Sequence, residues 1–96
     1  MTDVTITRHD DGSSGEYHAH VDGSEHIGRL TWVARGNVRV AEHTLVPEAI
    51  GGCGVAGQLV EALVADAREH GFTVAPACSY VAYRFDQNPD WSDLRA

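Results

Sequence analysis

The chain has 96 residues, which is enough for one domain with a modest core but not for two. It is 43% hydrophobic and 22% charged, so its composition is that of a globular protein rather than of a disordered chain. The formal net charge of −7 argues against a nucleic-acid partner, because duplex binding depends on cationic contacts to phosphates. The charge is compatible with a cationic partner such as an amine, although acidity also simply keeps proteins soluble.

The N-terminal segment and the cysteines lead us to expect a cytoplasmic protein. Residues 1–12 contain no apolar core of a secretory signal, and no run of residues approaches the length of a membrane span. The two cysteines, Cys53 and Cys78, are too few for a disulfide framework, so both are interpreted as thiols. We therefore expect no membrane partner.

The first half of the chain predicts four strands joined as an antiparallel meander. Asp22-Gly23 and Gly36-Asn37 are hairpin turn signals. The predicted strands cover residues 4–8, 16–21, 26–34 and 38–46. In the fourth strand Val40 and Leu45 fall on opposite faces, so the two-residue period breaks near Glu42. A bulge, or burial of the strand on both faces, would account for the break.

The second half predicts a helix, a short strand and a second helix. Residues 52–70 carry a broad apolar stripe at helical spacing, and Gly71 follows as a terminating glycine. Residues 72–76 form a predicted strand parallel to the fourth, because a helix connects the two. Residues 79–85 favour a short helix ended by Pro89, and residues 90–96 are interpreted as a polar tail. The fold class is therefore α+β.

Four glycines precede the first helix: Gly51, Gly52, Gly54 and Gly57. They leave backbone N–H groups uncovered at the positive end of the helix dipole, which favours binding of an anion such as a phosphate. The turn lacks the Gly-Lys-Ser/Thr ending of a Walker loop and the G-x-G-x-x-G spacing of a Rossmann domain. The alternative is a glycine turn that serves only close packing.

Four segments in a fixed order resemble a known family: HTLVP (43–47), GGCGVAGQLVEAL (51–63), APACSYV (75–81) and NP (88–89). They look like the small, YjdJ-like branch of the GCN5-related N-acetyltransferases, with the likeness running over about residues 16–89. The resemblance implies one acetyltransferase-like domain over 1–96 with its core at about 3–89. The implied fold is a three-layer α/β/α-like, mostly antiparallel twisted sheet of about five strands, with two helices and a splayed parallel pair. A bulge in the fourth strand also belongs to that fold.

The resemblance further implies acetyl-CoA as the cofactor, no metal, and transfer of the acetyl group to a small-molecule or protein amine. The implied pyrophosphate-binding positions are Gly52, Cys53, Gly54, Val55, Ala56 and Gly57, and the pantetheine arm would pair with the backbone of Leu45 and Val46. The superfamily turn is written Q/R-x-x-G-x-G/A, and here Gly51 occupies the Gln/Arg position. We expect this departure to lower CoA affinity more than it removes the site.

Three residues are candidates for catalysis. Cys78 opens the second helix, where a helix N-terminus favours a thiolate and hence an acetyl-enzyme, although a small buried hydrophobe is the alternative. His43 ends the fourth strand and could act as a base or orient the carbonyl, the alternative being an interior histidine bonded to backbone. The resemblance implies a tyrosine acid on the second helix. Spacing does not separate Tyr80 from Tyr83, and Tyr80 is the candidate taken forward.

Three further histidines lie in the first half of the chain. His18, His20 and His26 suggest a metal cluster, but no cysteine or carboxylate at ligand spacing completes it, so we expect sheet or surface histidines.

The chain is predicted to be an acetyltransferase. The alternatives are a CoA or acyl-CoA binding module without turnover and an interaction domain without a ligand. Either a monomer or a weak homodimer fits the sequence.

Overall fold

A computed structural model describes residues 3–51 and 54–96. The strands are β1 (Val4–Asp10), β2 (Ser14–Val21), β3 (Ile27–Arg35), β4 (Val38–Leu45) and β5 (Thr73–Pro76). The α-helices are α1 (Val55–His70) and α2 (Ser79–Gln87), and two 3₁₀ helices cover Glu48–Ile50 and Pro89–Leu94. Among the described residues, no helix combines the length and the apolar character that crossing a membrane requires.

The five strands form one sheet in the order β1-β2-β3-β4-β5. The first four pair antiparallel through short turns, and β5 pairs parallel with β4 after the α1 crossover. Gly23 and Gly36 adopt positive φ angles of 81° and 62° in the predicted hairpin turns, a conformation that glycine reaches without a Cβ clash. The predicted α+β class, with a mostly antiparallel sheet and one parallel pair, is confirmed.

The predicted bulge lies in β4. Thr31 of β3 pairs with His43, whereas the next residue, Trp32, pairs with Ala41, so Glu42 has no partner in the register. One extra residue in β4 shifts the alternation of side chains by one position. Thr44, the partner of buried Leu30, therefore lies on the same sheet face as Ala41. The break in period that the sequence showed near Glu42 is a bulge.

The core lies between one face of the sheet and the two helices. Its buried residues include Tyr17, Leu30 and Trp32 from the sheet, and Leu59 and Leu63 from α1. The close approach of α1 to β3 requires a glycine, because a Cβ at Gly28 would lie 2.8 Å from Val55 Cγ1. The core fixes α1 across β1, β2 and β3 and so sets where its N-terminus lies.

The opposite face of the sheet carries no helix among the described residues. Its residues, such as Thr7, His18, His20, Thr31 and His43, are half-buried or exposed. Among the described residues, α1 and α2 therefore lie against the same sheet face, and the short turn between β1 and β2 contains no helix.

The boundaries differ from the predictions in two places. Helix α1 begins at Val55, after Gly54, rather than at residue 52, and Gly52 and Cys53 lie outside the described residues. The predicted polar tail contains most of the Pro89–Leu94 3₁₀ helix, in which Trp91 and Leu94 are buried. Trp91 packs edge-on against Phe85, with ring centroids 5.4 Å apart. Burying these two apolar side chains outweighs the polar character of their neighbours.

Candidate functional site

The site begins where β4 and β5 part. The parallel register ends at the pair Ala41–Pro76, but β4 continues to Leu45. Residues 42–45 consequently have no β5 partner, and their backbone is available to an extended ligand on that side. The Cys78 N–H donates to the Ala41 carbonyl at 2.9 Å, which fixes the start of α2 at this fork.

The thiol of Cys78 is half-buried at the fork. Its Sγ lies 3.5 Å from Thr44 Oγ1. Burial by itself would raise the pKa of the thiol, but the Thr44 hydroxyl and the backbone amides of Val81 and Tyr80 stabilise the thiolate, and the net result is a lowered pKa. The amides act at the start of α2, where no side-chain hydrogen bond caps the helix. Cys78 therefore has the environment of a reactive thiol.

The N-terminus of α1 has no acidic group and no capping side chain among its described residues. Gly54 precedes the helix with a φ of 73°, and the first turn contains no Asp or Glu. The Gln58 N–H donates to the Gly54 carbonyl at 3.1 Å. The N–H groups of Val55, Ala56 and Gly57 come before that first helical bond, so no carbonyl of the helix can accept them. These amides and the helix dipole favour an anion.

Two side chains of α2 lie beside this helix end. A Cβ built on Gly57 would be 3.6 Å from Arg84 Nη2 and 3.7 Å from the Tyr80 hydroxyl. Arg84 Nε is buried and has no hydrogen-bond partner among the described residues. A guanidinium with an unsatisfied N–H thus lies against the positive end of α1. The chemistry of this donor set suits an anion such as a phosphate, which could accept hydrogen bonds from the first-turn amides and from the terminal nitrogens of Arg84.

Other predicted residues lie apart from the Cys78 thiol. His43 is exposed and shares the open sheet face with its partner Thr31, whereas Thr44 faces the helices. The alternative in which His43 is an interior histidine is therefore wrong, while its role as a base stays a prediction. Leu45 is 59% exposed on the open face and Val46 is half-buried. Tyr83 is 54% exposed, so of the two tyrosines only Tyr80 points its hydroxyl toward α1.

Two residues at the site were missed by the sequence reasoning. Thr44 contacts Cys78, and its position follows from the bulge, because one extra residue turns it toward the helices. Arg84 is four residues beyond Tyr80 on α2, a spacing that places two side chains on one helix face. That spacing was a signal in the sequence, although the partner face on α1 was not.

Several of the other histidines and acids have partners within the fold. His20 Nε2 lies 3.0 Å from the Thr7 hydroxyl, and His18 Nε2 lies 2.8 Å from a Glu16 carboxylate oxygen. Asp66, Glu69 and His70 bring possible ligand atoms within 4.8 Å of one another. However, both Asp66 oxygens already accept hydrogen bonds from Arg8, and one also accepts from Tyr17. We assign no metal to either cluster.

The comparison with protein families agrees with this geometry. A family model described as GCN5-related N-acetyl-transferase matches residues 16–94, which is most of the chain. The chain belongs to this family. No curated protein matches the chain significantly. The match spans the fork between β4 and β5, the α1 N-terminus and Cys78, so all parts of the candidate site lie in the region common to these acetyltransferases, while membership of the narrower YjdJ-like branch stays a prediction.

Proposed function

We propose that this acetyltransferase-family chain moves an acetyl group from acetyl-CoA to the amine of a small molecule or protein. The observation that carries the proposal is Cys78: a half-buried thiol of lowered pKa, held at the fork of the parallel pair beside Thr44. It supports acyl transfer because a thiolate is a strong nucleophile toward thioesters. Family membership supports the same reaction class.

The binding half of the proposal assigns roles to backbone groups. Bound acetyl-CoA supplies an acetyl group already activated as a thioester. The amides at the start of α1, with the turn residues Gly52 and Cys53, are proposed to hold its pyrophosphate. The unpaired backbone at the end of β4, with Leu45 and Val46, is proposed to hold its pantetheine arm by strand-like hydrogen bonds.

The chemical half assigns roles to three side chains. Cys78 would be the nucleophile: its Sγ would bond to the acetyl carbon as the carbon–sulfur bond of the thioester breaks. Tyr80 would donate the proton that the departing thiolate needs. An uncharged acceptor amine then attacks the same carbon, the bond to Sγ breaks, and the Cys78 thiolate is restored. His43 lies on the opposite sheet face from Cys78, so it is proposed to receive the surplus proton of the amine through solvent and not directly, and solvent returns a proton to Tyr80.

A second candidate is a CoA or acyl-CoA binding module without turnover. The observation that favours it is the separation of His43 from Cys78: the two side chains belong to opposite faces, and the contact partner of the thiol among the described residues is a hydroxyl, not a base. A module of this kind would bind acetyl-CoA as well as the enzyme does. It would show no transfer to any amine.

Calorimetric titration with acetyl-CoA, followed by intact-mass measurement of the same sample, separates these candidates. We expect binding and an added acetyl mass in the wild type and in Cys53→Ser, and binding without added mass in Cys78→Ser. Binding without added mass in the wild type would contradict the covalent step, and an amine screen would then distinguish direct transfer from a binding module. No binding at millimolar ligand would overturn both candidates.

The predicted cytoplasmic location and the monomer or weak homodimer are separate proposals, and gel filtration tests the latter.

A further inference from the structure

We propose that Arg84 on α2 contacts the CoA pyrophosphate and replaces the side chain that the turn lacks at Gly51. The proposal rests on the proposed function, since it needs CoA at the α1 N-terminus. The family pattern has Gln or Arg at the start of the turn, and glycine there provides no side-chain donor. A guanidinium supplied from α2 would restore that donor from the other side of the site.

The Arg84 guanidinium lies beside the N-terminus of α1. The Cβ position of Gly57, in the first turn of α1, is 3.6 Å from Arg84 Nη2 and 3.7 Å from Arg84 Cζ. These are ordinary van der Waals distances, so the guanidinium lies directly beside the first turn of α1. Trp91 holds the other side of Arg84, with Cζ 5.9 Å from the ring centroid. The guanidinium is thus placed next to the first-turn amides by packing from two elements.

The Nε of Arg84 has no hydrogen-bond partner among the described residues. Arg8, Arg68 and Arg95 each pair with a carboxylate. Arg84, like Arg29, Arg35 and Arg39, has no carboxylate partner among the described residues, but of these arginines it is the one with a buried nitrogen that makes no hydrogen bond. Its Nε is buried as well as unpaired. Because Nε itself is inaccessible, an external acceptor would bind the terminal nitrogens of the guanidinium, of which Nη2 lies beside Gly57.

Two positive charges lie close together at this place, the helix N-terminus and the Arg84 guanidinium. The N-terminus of α1 carries a partial positive charge, and the cation of Arg84 beside it raises the energy of the ligand-free protein. An anion bound between the guanidinium and the helix N-terminus would be attracted to both, and it would offset the repulsion between them. Charge-assisted and bidentate hydrogen bonds from arginine to phosphate are among the stronger polar contacts in proteins. The site is therefore arranged for a doubly contacted phosphate group.

The test is calorimetric titration of four proteins with CoA and with dephospho-CoA, which keeps the pyrophosphate and lacks the 3′-phosphate. Arg84→Met keeps much of the apolar stem and removes the charge, and Arg84→Lys restores the charge. Arg35→Met is the matched control, because Arg35 is exposed at the end of β3 and its loss changes the net charge equally. Thermal unfolding without ligand checks that each variant folds.

We expect Arg84→Met to weaken both ligands by ~10-fold or more, as the loss of a charge-assisted hydrogen bond predicts. Arg84→Lys should recover part of this loss, and Arg35→Met should change affinity less than about twofold, as a distant screened charge would. Equal affinities for Arg84→Met and Arg35→Met would overturn the proposal. A loss confined to CoA would overturn the pyrophosphate assignment in favour of the 3′-phosphate. Failure of the wild type to bind would instead remove the proposed function, and this inference with it.

Discussion

The polar groups near the two ends of α1 differ in whether they have partners within the fold. Near the C-terminal end, Asp66 is 6% exposed and accepts hydrogen bonds from Arg8 Nε at 2.7 Å and from the Tyr17 hydroxyl at 2.7 Å. Arg39 donates to the same hydroxyl at 3.1 Å and stacks on Trp32, with Cζ 3.9 Å from the ring. Each charged group of this cluster has a partner within the fold.

At the N-terminal end, the described residues leave donors without acceptors. The first-turn amides of α1 precede the first helical bond, and the buried Nε of Arg84 has no partner. Folded proteins satisfy nearly all buried polar groups, so an unsatisfied set at one end of a helix whose other end is satisfied is informative. The Asp66 cluster stabilises the fold, whereas the N-terminal donors are the groups that the proposed function assigns to a ligand.

The largest expected effect is the loss of acetyl transfer in Cys78→Ser. Because a serine hydroxyl is not ionised near neutral pH, we expect the transfer rate to fall on the order of 100-fold or more. The unfolding midpoint should change little, since the thiol is half-buried and makes one side-chain hydrogen bond. An assay of CoA release with an amine acceptor measures the rate, and Cys53→Ser is the matched control. Full activity in Cys78→Ser would contradict the covalent route.

The next effect is on stability, at the other end of α1. Asp66→Ala leaves the buried Tyr17 hydroxyl and the Arg8 guanidinium without their acceptor. Arg8 is half-exposed and regains water, so we expect a loss of about 2–3 kcal/mol in the free energy of unfolding rather than the larger cost of a fully buried pair. Urea denaturation measures the loss. Asp93→Ala, at an exposed ion pair, is the control and should stay within about 0.5 kcal/mol.

If the comparison between the two helix ends is right, Asp66→Ala keeps CoA binding. The substitution lies more than two helical turns from Val55, at the far end of the same helix. A folded Asp66→Ala protein should therefore bind CoA within about twofold of the wild type, as additivity of distant sites predicts. A large loss of affinity in a protein that is still folded would show that the two ends are coupled.

A smaller effect appears in the pH dependence of stability. Burial by itself would raise the pKa of Asp66, but hydrogen bonds from Arg8 and Tyr17 outweigh it and the net pKa is lowered. A lowered folded-state pKa gives a stability contribution that is present above the ordinary carboxyl pKa and is lost as pH falls through the folded value. The unfolding free energies of wild type and Asp66→Asn should therefore begin to converge as pH falls below about 4, and converge fully below the folded-state pKa. A gap that stays constant down to acid unfolding would contradict this.

The sequence was sufficient for most of the fold because its local signals agree. Turn glycines such as Gly23 and Gly36 bound the predicted strands, and the broken period near Glu42 marked the bulge. Predictions failed where tertiary contacts decide the outcome. Trp91 is buried in a stretch that reads as polar, since one aromatic contact with Phe85 outweighs the local composition. Which sheet face the helices cover is likewise decided by packing between distant segments and not by a local pattern.

The site was only partly predictable for the same reason. Cys78 and the glycine turn are local signals, at a helix start and at a strand-to-helix junction. Thr44 requires the register of β4 after the bulge, and Arg84 requires the packing of α2 against α1. Such positions depend on residues far apart in the chain. The open-face location of His43 likewise follows from its pairing with Thr31 and not from its sequence neighbours.

The smallest effect that we predict is a change in thiol reactivity in Thr44→Val. The substitution keeps the shape of the side chain and removes the hydroxyl that stabilises the Cys78 thiolate, so the pKa of the thiol should rise. The rate of alkylation by iodoacetamide, measured against pH in a Cys53→Ser background, should reach half its plateau at a higher pH than in the same background with Thr44. Thr31→Val is the control, because Thr31 lies on the other face. Identical pH profiles for the two threonine variants would show that the Thr44 contact does not tune the thiol, and the helix amides would then be left as the source of its lowered pKa.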